Sequence, residues 1–338
     1  MNTTLTIGLL MADQSYNWDA IAQELSPHTI IRLNDWADWD EQALAEKVRA
    51  CEIIVTGRKS PQLPESLAID PGKLKLLAHC HGSIRRVISK HLISSGIHAV
   101  NWGDNVSGVA ESAMAMLFAC LKQLNGLDAF IRADWKNDQR IFSDFPATLK
   151  ERDVGIYGFG PIGRHMARML EPFGANIHLY DPFATDVPAS ITRCTSLDEL
   201  FSSCQCISIH CGLNDATRGS VNRSMLKRLP QGGIVINTAR GPIVVEQDLA
   251  DLIAERRLLA GVDVIEKEDQ WPLSPLAQQP SNLVLLTGHV ICNGKGPGPT
   301  KSEKRHGLPR HTVANILALA KGEPLQHEIT ADIYDLKT

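Results

Sequence analysis

Residues 153–170, DVGIYGFGPIGRHMARML, join a short apolar run to three glycines and then to a segment with Ile162, Met166, Met169 and Leu170 on one helical face. This is a strand, a tight turn and a helix in one unbroken stretch. Gly158 permits the turn, Gly160 lets the backbone approach a ligand closely, and Gly163 allows the helix to pack against the strand. Pro161 has no N–H and suits the first helical position, leaving the amides of Ile162 and its neighbours to face an anion. A chain carrying this turn is expected to fold around a parallel α/β sheet.

The next apolar run, NIHLY, delivers Asp181 eighteen residues beyond Gly163. A carboxylate there accepts hydrogen bonds from ribose hydroxyls and repels a 2′-phosphate. NAD is therefore expected in preference to NADP, on a doubly wound Rossmann sheet. Further strands are expected at CISIH, GIVIN, LAGVDVI and NLVLLT, separated mostly by helical segments, among them EQDLADLIAERRLL at 246–259. The first hundred residues repeat the rhythm with LTIGLL, EIIVT, LKLLA and IHAV, which implies a second parallel sheet. Residues 111–121, ESAMAMLFACL, are apolar around the whole helical wheel and point to a helix buried at a domain or subunit interface. A late helix is expected at 312–324, and the Gly-, Pro- and Lys-rich segment 293–306 reads as loop.

At 338 residues the chain is long for one core and comfortable for two domains. A formal net charge of -4 offers no global field for nucleic acid, and no apolar run approaches the ~18 residues of a membrane span. The N-terminus, MNTTLTIGLLMADQ, lacks a basic leader and reads as a first strand, so the cytoplasm is the expected location. Eight cysteines, several inside apolar runs, read as buried free thiols. Cys204, Cys206, His210 and Cys211 resemble a metal cluster on paper, as does HCH at 79–81. Alternation along a strand sends neighbouring side chains to opposite faces, so no metal site is expected.

Ligands in open parallel sheets lie beyond the carboxyl ends of the strands. That rule selects Arg240 at the end of GIVINTARG, Glu268 at the end of LAGVDVIEKE just after its strand, and His289 at the end of NLVLLTGH. An imidazole with an unperturbed pKa of ~6.5 moves the proton of a carbon-bound oxygen. A carboxylate on its other nitrogen orients it, and a guanidinium grips a substrate carboxylate. The set describes hydride chemistry on a 2-hydroxy acid.

GFGPIG with YD, NTARGPIVVEQDL, GVDVIEKE and LLTGHV, in this order, resemble the D-isomer-specific 2-hydroxyacid dehydrogenase family over nearly the whole chain. The resemblance implies Arg240 as carboxylate clamp, Glu268 as partner of His289, and His289 as general acid/base. It places Asp263 and the Thr238 backbone near the nicotinamide carboxamide, and the amides of Gly82 and Ser83, in the loop HGSIRR, at the substrate carboxylate. It implies a smaller, discontinuous flavodoxin-like α/β substrate domain, residues 1–103 with 290–338, around a cofactor domain of 104–289, and a homodimer. Gly288 stands where proline is usual, Arg85 and Arg86 replace acidic and amide residues, and the segment after His289 is longer and more basic than typical. Either that basic segment or Arg85 and Arg86 is a candidate contact for a second anionic group on the substrate. The competing readings are a catalytically silent, dinucleotide-responsive binding module and a dehydrogenase of a small acid such as phosphite or formate.

Overall fold

The computed structural model describes residues 4–11, 18–57, 59–103, 106–124, 126–128, 132, 147–288, 291 and 308–337. The chain divides into two compact units, residues 1–105 with 295–338 and residues 106–294. The basic segment 293–306 lies outside the described residues.

In the first unit, β1 (Thr6–Leu10), β2 (Thr29–Arg32), β3 (Ile53–Thr56), β4 (Leu76–His79) and β5 (His98–Val100) form one sheet of order β2-β1-β3-β4-β5. Every neighbouring pair is parallel, the flavodoxin-like arrangement. Helices α1 (Trp18–Glu24), α2 (Glu41–Arg49) and α3 (Lys90–Ser94) follow β1, β2 and β4. Helix α2 begins where Asp40 accepts a 2.8 Å bond from the Ala43 amide. Its Leu44 and Val48 cover one face of the sheet with Leu10, Ile54 and Leu77. The other face takes Ile21 of α1 together with Val313, Ile316 and Ala320, which come from a helix at Arg310–Lys321 near the C-terminus. Cover on both faces is why β3 and β4 are wholly buried and read as continuous apolar runs.

The second unit opens with α4 (Ser107–Leu121) and carries β6 (Asp153–Tyr157), α5 (Pro161–Leu170), β7 (Asn176–Tyr180), β8 (Thr192–Arg193), α6 (Leu197–Ser203) and β9 (Cys206–Ile209). It continues with α7 (Arg223–Leu226), β10 (Gly233–Asn237), α8 (Glu246–Ala254), β11 (Leu258–Val262) and β12 (Val284–Leu286); the C-terminal helix of the first unit is then α9. The strands run β12-β11-β10-β9-β6-β7-β8, all parallel, so the order reverses between β6 and β9. A crevice opens at such a reversal.

Helix α4 packs one face within its own unit, while Glu111 and Ala115 stay exposed. Ala113, Met116 and Leu117 pack with Met166 and Leu170 of α5 over Ile156, Ile234 and Ile236. The helix expected at 246–259 ends at Ala254, because Arg256 turns the backbone to φ 53 and Leu258 already belongs to β11. On the opposite face Leu200, Phe201, Leu249 and Ile253 cover Ile207, Val235 and Val262. No helix among the described residues is long and apolar enough to cross a membrane.

Candidate functional site

The glycine turn leaves β6 at the reversal of strand order. Gly158 holds φ 97, and a Cβ there would sit 2.5 Å from the Cys211 amide nitrogen, so only glycine lets β6 pass this close to the end of β9. Its amide donates to the Tyr180 carbonyl at 3.0 Å, tying the turn to β7. Gly160 is the N-terminal cap residue of α5, with no side-chain cap bond and Pro161 next. A Cβ on Gly160 would meet no atom within 4 Å, so the space beside it is open. Open backbone beside an uncapped helix N-terminus is the cradle a pyrophosphate requires.

Asp181 lies just past β7, and its carboxylate accepts from the Phe159 amide at 2.6 Å and the Phe183 amide at 2.8 Å. These bonds fix the acid beside the turn. The residues present thus fit the dinucleotide read from the sequence. Losing a charged hydrogen bond to ribose costs ~1.5–3 kcal/mol. Asp181→Ser is therefore expected to weaken NADH binding by about 10–100-fold while weakening NADPH less, measured by nucleotide fluorescence titration.

At the carboxyl end of β10 the Asn237 side chain brackets a tight loop, accepting from the Ala239 amide at 3.1 Å and donating to the Arg240 carbonyl at 3.0 Å. Arg240 is half-buried, with Nη1 donating to the Ala239 carbonyl at 2.7 Å. Thr238 is buried, and its hydroxyl has no hydrogen-bond partner among the described residues. An orphaned polar atom there awaits a polar group from a ligand. Asp263, also buried, donates its amide to Asn237 across β10 and accepts the Thr287 hydroxyl at 2.5 Å. The ends of β10, β11 and β12 are thereby locked together.

A Cβ on Gly241 would lie 2.0 Å from the Ile265 carbonyl carbon, so the loop after Arg240 abuts the backbone that leads to Glu268. Glu268 is exposed and engaged in a polar interaction. His289 lies outside the described residues, but the approach to it is visible. Gly288 holds φ 61, which proline, locked near −65°, cannot adopt. The usual proline is thus incompatible with the way this chain leaves β12. A cavity of about 470 Å³ lies beside the same loops, lined by Arg218, Val244, Glu246, Ile265, Lys267 and Leu273 among others. Thr238, Arg240 and Asp263 do not line it.

His210, weighed from sequence only as a metal ligand, sits one residue past β9 at the crevice, its amide donating to the Tyr157 carbonyl at 2.7 Å. Its Nε2 is 2.8 Å from the Ser208 hydroxyl, its Nδ1 is buried without a partner among the described residues, and burial pulls its pKa down to about 4. Its burial, and the neutral form that burial imposes, come only from the fold. The neighbouring cysteines separate because Cys204 still belongs to the end of α6 while Cys206 opens β9, not through alternation along one strand. Cys206 packs with Cys120 on one face of the sheet and Cys204 with Cys194 on the other. Among the described residues no group of His, Cys, Asp and Glu is arranged to hold a metal ion.

In the first unit, Gly82 and Ser83 follow β4, and the Asn101 amide holds the Gly82 carbonyl at 2.6 Å. Arg85, a candidate contact for a second substrate charge, lies beside an acid of the C-terminal segment. Its guanidinium is 3.4 Å from the Asp335 carboxylate, which Lys90 also grips at 2.6 Å, and lies over the Tyr334 ring.

The family profile described as D-isomer specific 2-hydroxyacid dehydrogenase, NAD binding domain, matches residues 114–290. A D-3-phosphoglycerate dehydrogenase of Mycobacterium bovis is 31% identical over 314 residues, 89% of this chain and 56% of that protein. The chain thus spans little more than half the length of that relative. A hydroxypyruvate reductase of Thermotoga maritima is 28% identical over 71% of this chain and 76% of its own. A 2-hydroxyacid dehydrogenase structure from Ketogulonicigenium vulgare shares the fold, with TM-score 0.76 and 21% identity over 99% of this chain and 100% of that one. With the glycine turn, the placed carboxylate and the locked strand ends in hand, the chain belongs to the D-isomer specific 2-hydroxyacid dehydrogenase family, with NAD as the cofactor of its Rossmann domain.

Proposed function

We propose that this protein is an NAD-dependent oxidoreductase that interconverts a D-2-hydroxy acid and its 2-keto acid. The observation that carries the reading is the crevice between β6 and β9, where an open phosphate turn and Asp181 lie on the same sheet edge as the locked loops bearing Thr238, Arg240 and Asp263. Gly158, Gly160, Pro161, Ile162 and Gly163 hold the pyrophosphate, and Asp181 holds the ribose. Thr238 and Asp263 receive the carboxamide. When bound, the nicotinamide supplies or accepts the hydride at substrate C2.

Arg240 pairs with the substrate carboxylate and polarises the adjacent carbonyl, while the amides of Gly82 and Ser83 take the carboxylate's remaining lone pairs. His289 gives its proton to the keto oxygen during reduction and removes it during oxidation. Glu268 fixes the tautomer and steadies the imidazolium. Residues 1–103 with 290–338 serve as the substrate-binding domain and 104–289 as the cofactor domain. Water is excluded while the reaction proceeds.

We place the protein in the cytoplasm as a homodimer. The seven described cysteines are free thiols, six of them buried, which suits a reducing compartment. Leu124, Leu127 and Phe173 keep apolar side chains exposed on the second unit, which suits a subunit contact. Light scattering that returns the mass of one chain overturns the dimer.

A panel of 2-keto acids with NADH, followed by cofactor absorbance, tests the activity. Turnover of a keto acid is expected. NADH binding without turnover of any keto acid points instead to a silent binding module, and oxidation of phosphite or formate alone to a different acid.

A further inference from the structure

Four imidazoles gather beyond the carboxyl ends of β4 and β5 in the first unit, and nothing in the proposed reaction uses them. His79 ends β4, is buried, and has Nδ1 2.9 Å from the Thr56 hydroxyl at the end of β3. The His81 ring stands edge-on to it at 5.6 Å between centroids, and the Trp102 ring is 6.4 Å from that of His81. His311, in the first turn of α9, hydrogen-bonds the His79 backbone, and its Nε2 is buried with no partner among the described residues. His327 lies against the turn after β5, where a Cβ on Gly103 would come within 2.3 Å of its ring. The loop that carries Gly82 and Ser83 is part of this cluster, since Trp102 donates its amide to the His81 carbonyl at 3.1 Å.

The position and chemistry both favour an anion. Strand carboxyl ends are where open parallel sheets take ligands. Helix α9 contributes its N-terminus, with Pro309 at the cap and no side-chain cap bond. Burial and the neighbouring imidazoles hold His79 down to about 3 and His311 down to about 4, so both are neutral near pH 7. The other titratable or charged groups around the cluster are Cys80 between His79 and His81, Arg310 beside His311, and Glu328 next to His327. The Thr312 hydroxyl contacts the Cys80 thiol at 3.8 Å, and the Glu328 carboxylate pairs with His98 at 2.5 Å.

We propose that His81, His311 and His327, backed by His79, form a proton-linked subsite for a second anionic group, a carboxylate or phosphate, on the 2-keto acid. The inference rests on the proposed dehydrogenase reading, because that reading brings a keto acid to the Gly82–Ser83 loop. A negative charge beside the neutral His79 and His311 imidazoles favours their protonated form. One imidazole then takes a proton from solvent as the anion binds. Such a group has a higher pKa with ligand than without, so affinity rises as pH falls between those two values, by up to about tenfold per pH unit for each proton taken up.

The test compares 2-oxoglutarate with 2-oxopentanoate, equal in chain length and different in the second carboxylate, in NADH-dependent reduction between pH 8 and pH 6. The expected result is a KM advantage for 2-oxoglutarate that grows by about tenfold or more over this range, with the kcat ratio nearly constant. The ratio of the two KM values is expected to become flat with pH in His81→Gln and His327→Gln. Using a ratio cancels the titration of the proton-transfer group itself. A KM ratio independent of pH in the wild type, or one that keeps its slope in both variants, overturns the subsite.

If no keto acid of the panel is turned over, the dehydrogenase reading is what has failed, and calorimetry with inorganic phosphate in two buffers of different ionisation enthalpy decides the subsite separately. Proton uptake on phosphate binding that disappears in His81→Gln supports a site for free anions; absence of phosphate binding overturns it.

Discussion

Gly163→Ala is expected to lower the melting temperature by about 6–12 °C and to weaken NADH binding at least tenfold. A Cβ at this position would lie 2.1 Å from the Gly158 carbonyl oxygen and 3.3 Å from Ile156 Cγ2. The nearer atom belongs to the backbone and cannot rotate away. Relief requires α5 to withdraw from β6, and forcing atoms into a filled core costs ~3 kcal/mol at the upper end of its usual range. In a domain of this size each kcal/mol corresponds to about 2–4 °C.

Gly160→Ala separates packing from cofactor binding. Gly160 has φ -68, ordinary for any residue, and its added methyl meets no protein atom within 4 Å. Its stability is expected to stay within about 1 kcal/mol of the wild type, the usual range for a change that disturbs no packing. NADH affinity is nevertheless expected to fall, because the methyl occupies the space the pyrophosphate approaches. Calorimetry and nucleotide fluorescence measure the two quantities independently. A Gly160→Ala protein that binds NADH as tightly as the wild type sinks the assignment of the turn.

The second large effect is on turnover. His289→Asn is expected to reduce kcat by ~10²–10⁴ while NADH binding stays nearly intact, the magnitude typical of losing a positioned general acid/base. Asparagine keeps a polar side chain of similar reach but cannot carry a proton between solvent and the substrate oxygen. The proposed cofactor contacts at Gly158–Gly163 and Asp181 come from the turn after β6, the start of α5 and the residue past β7, and the substitution touches none of them, which is why binding and turnover should separate. A fully active variant would falsify the role.

The parts legible in the sequence share one property: each is encoded within a few neighbouring residues. The glycine spacing at 158, 160 and 163, the acid after NIHLY, and the continuous apolar runs of β3, β4, β9 and β10 are local patterns. Strands β2 and β8 were not legible, because both stand at sheet edges. TIIR is half-exposed and the two residues Thr192 and Arg193 are exposed, so neither needs the apolar run that betrays a central strand. The end of α8 was misjudged for a related reason. ERRLL keeps a helical pattern, yet Leu258 and Leu259 pair with Gly233 and Ile234 of β10, and that ladder overrides local propensity.

The sequence by itself determined the local patterns: a glycine turn between an apolar run and a helical segment with an acid after the next run, and an arginine, a glutamate and a histidine near the ends of later apolar runs. Only the tertiary structure decided what surrounds them. It brought Asp335, 250 positions away along the chain, against Arg85 of the loop that carries Gly82 and Ser83. It packed one face of α4 against its own sheet, and it drew His79, His81, His311 and His327 to one end of the first unit. Periodicity and turn chemistry act over a few residues. Which distant segments meet is settled by burying shared apolar surface, a property of the whole fold that no single stretch of sequence displays.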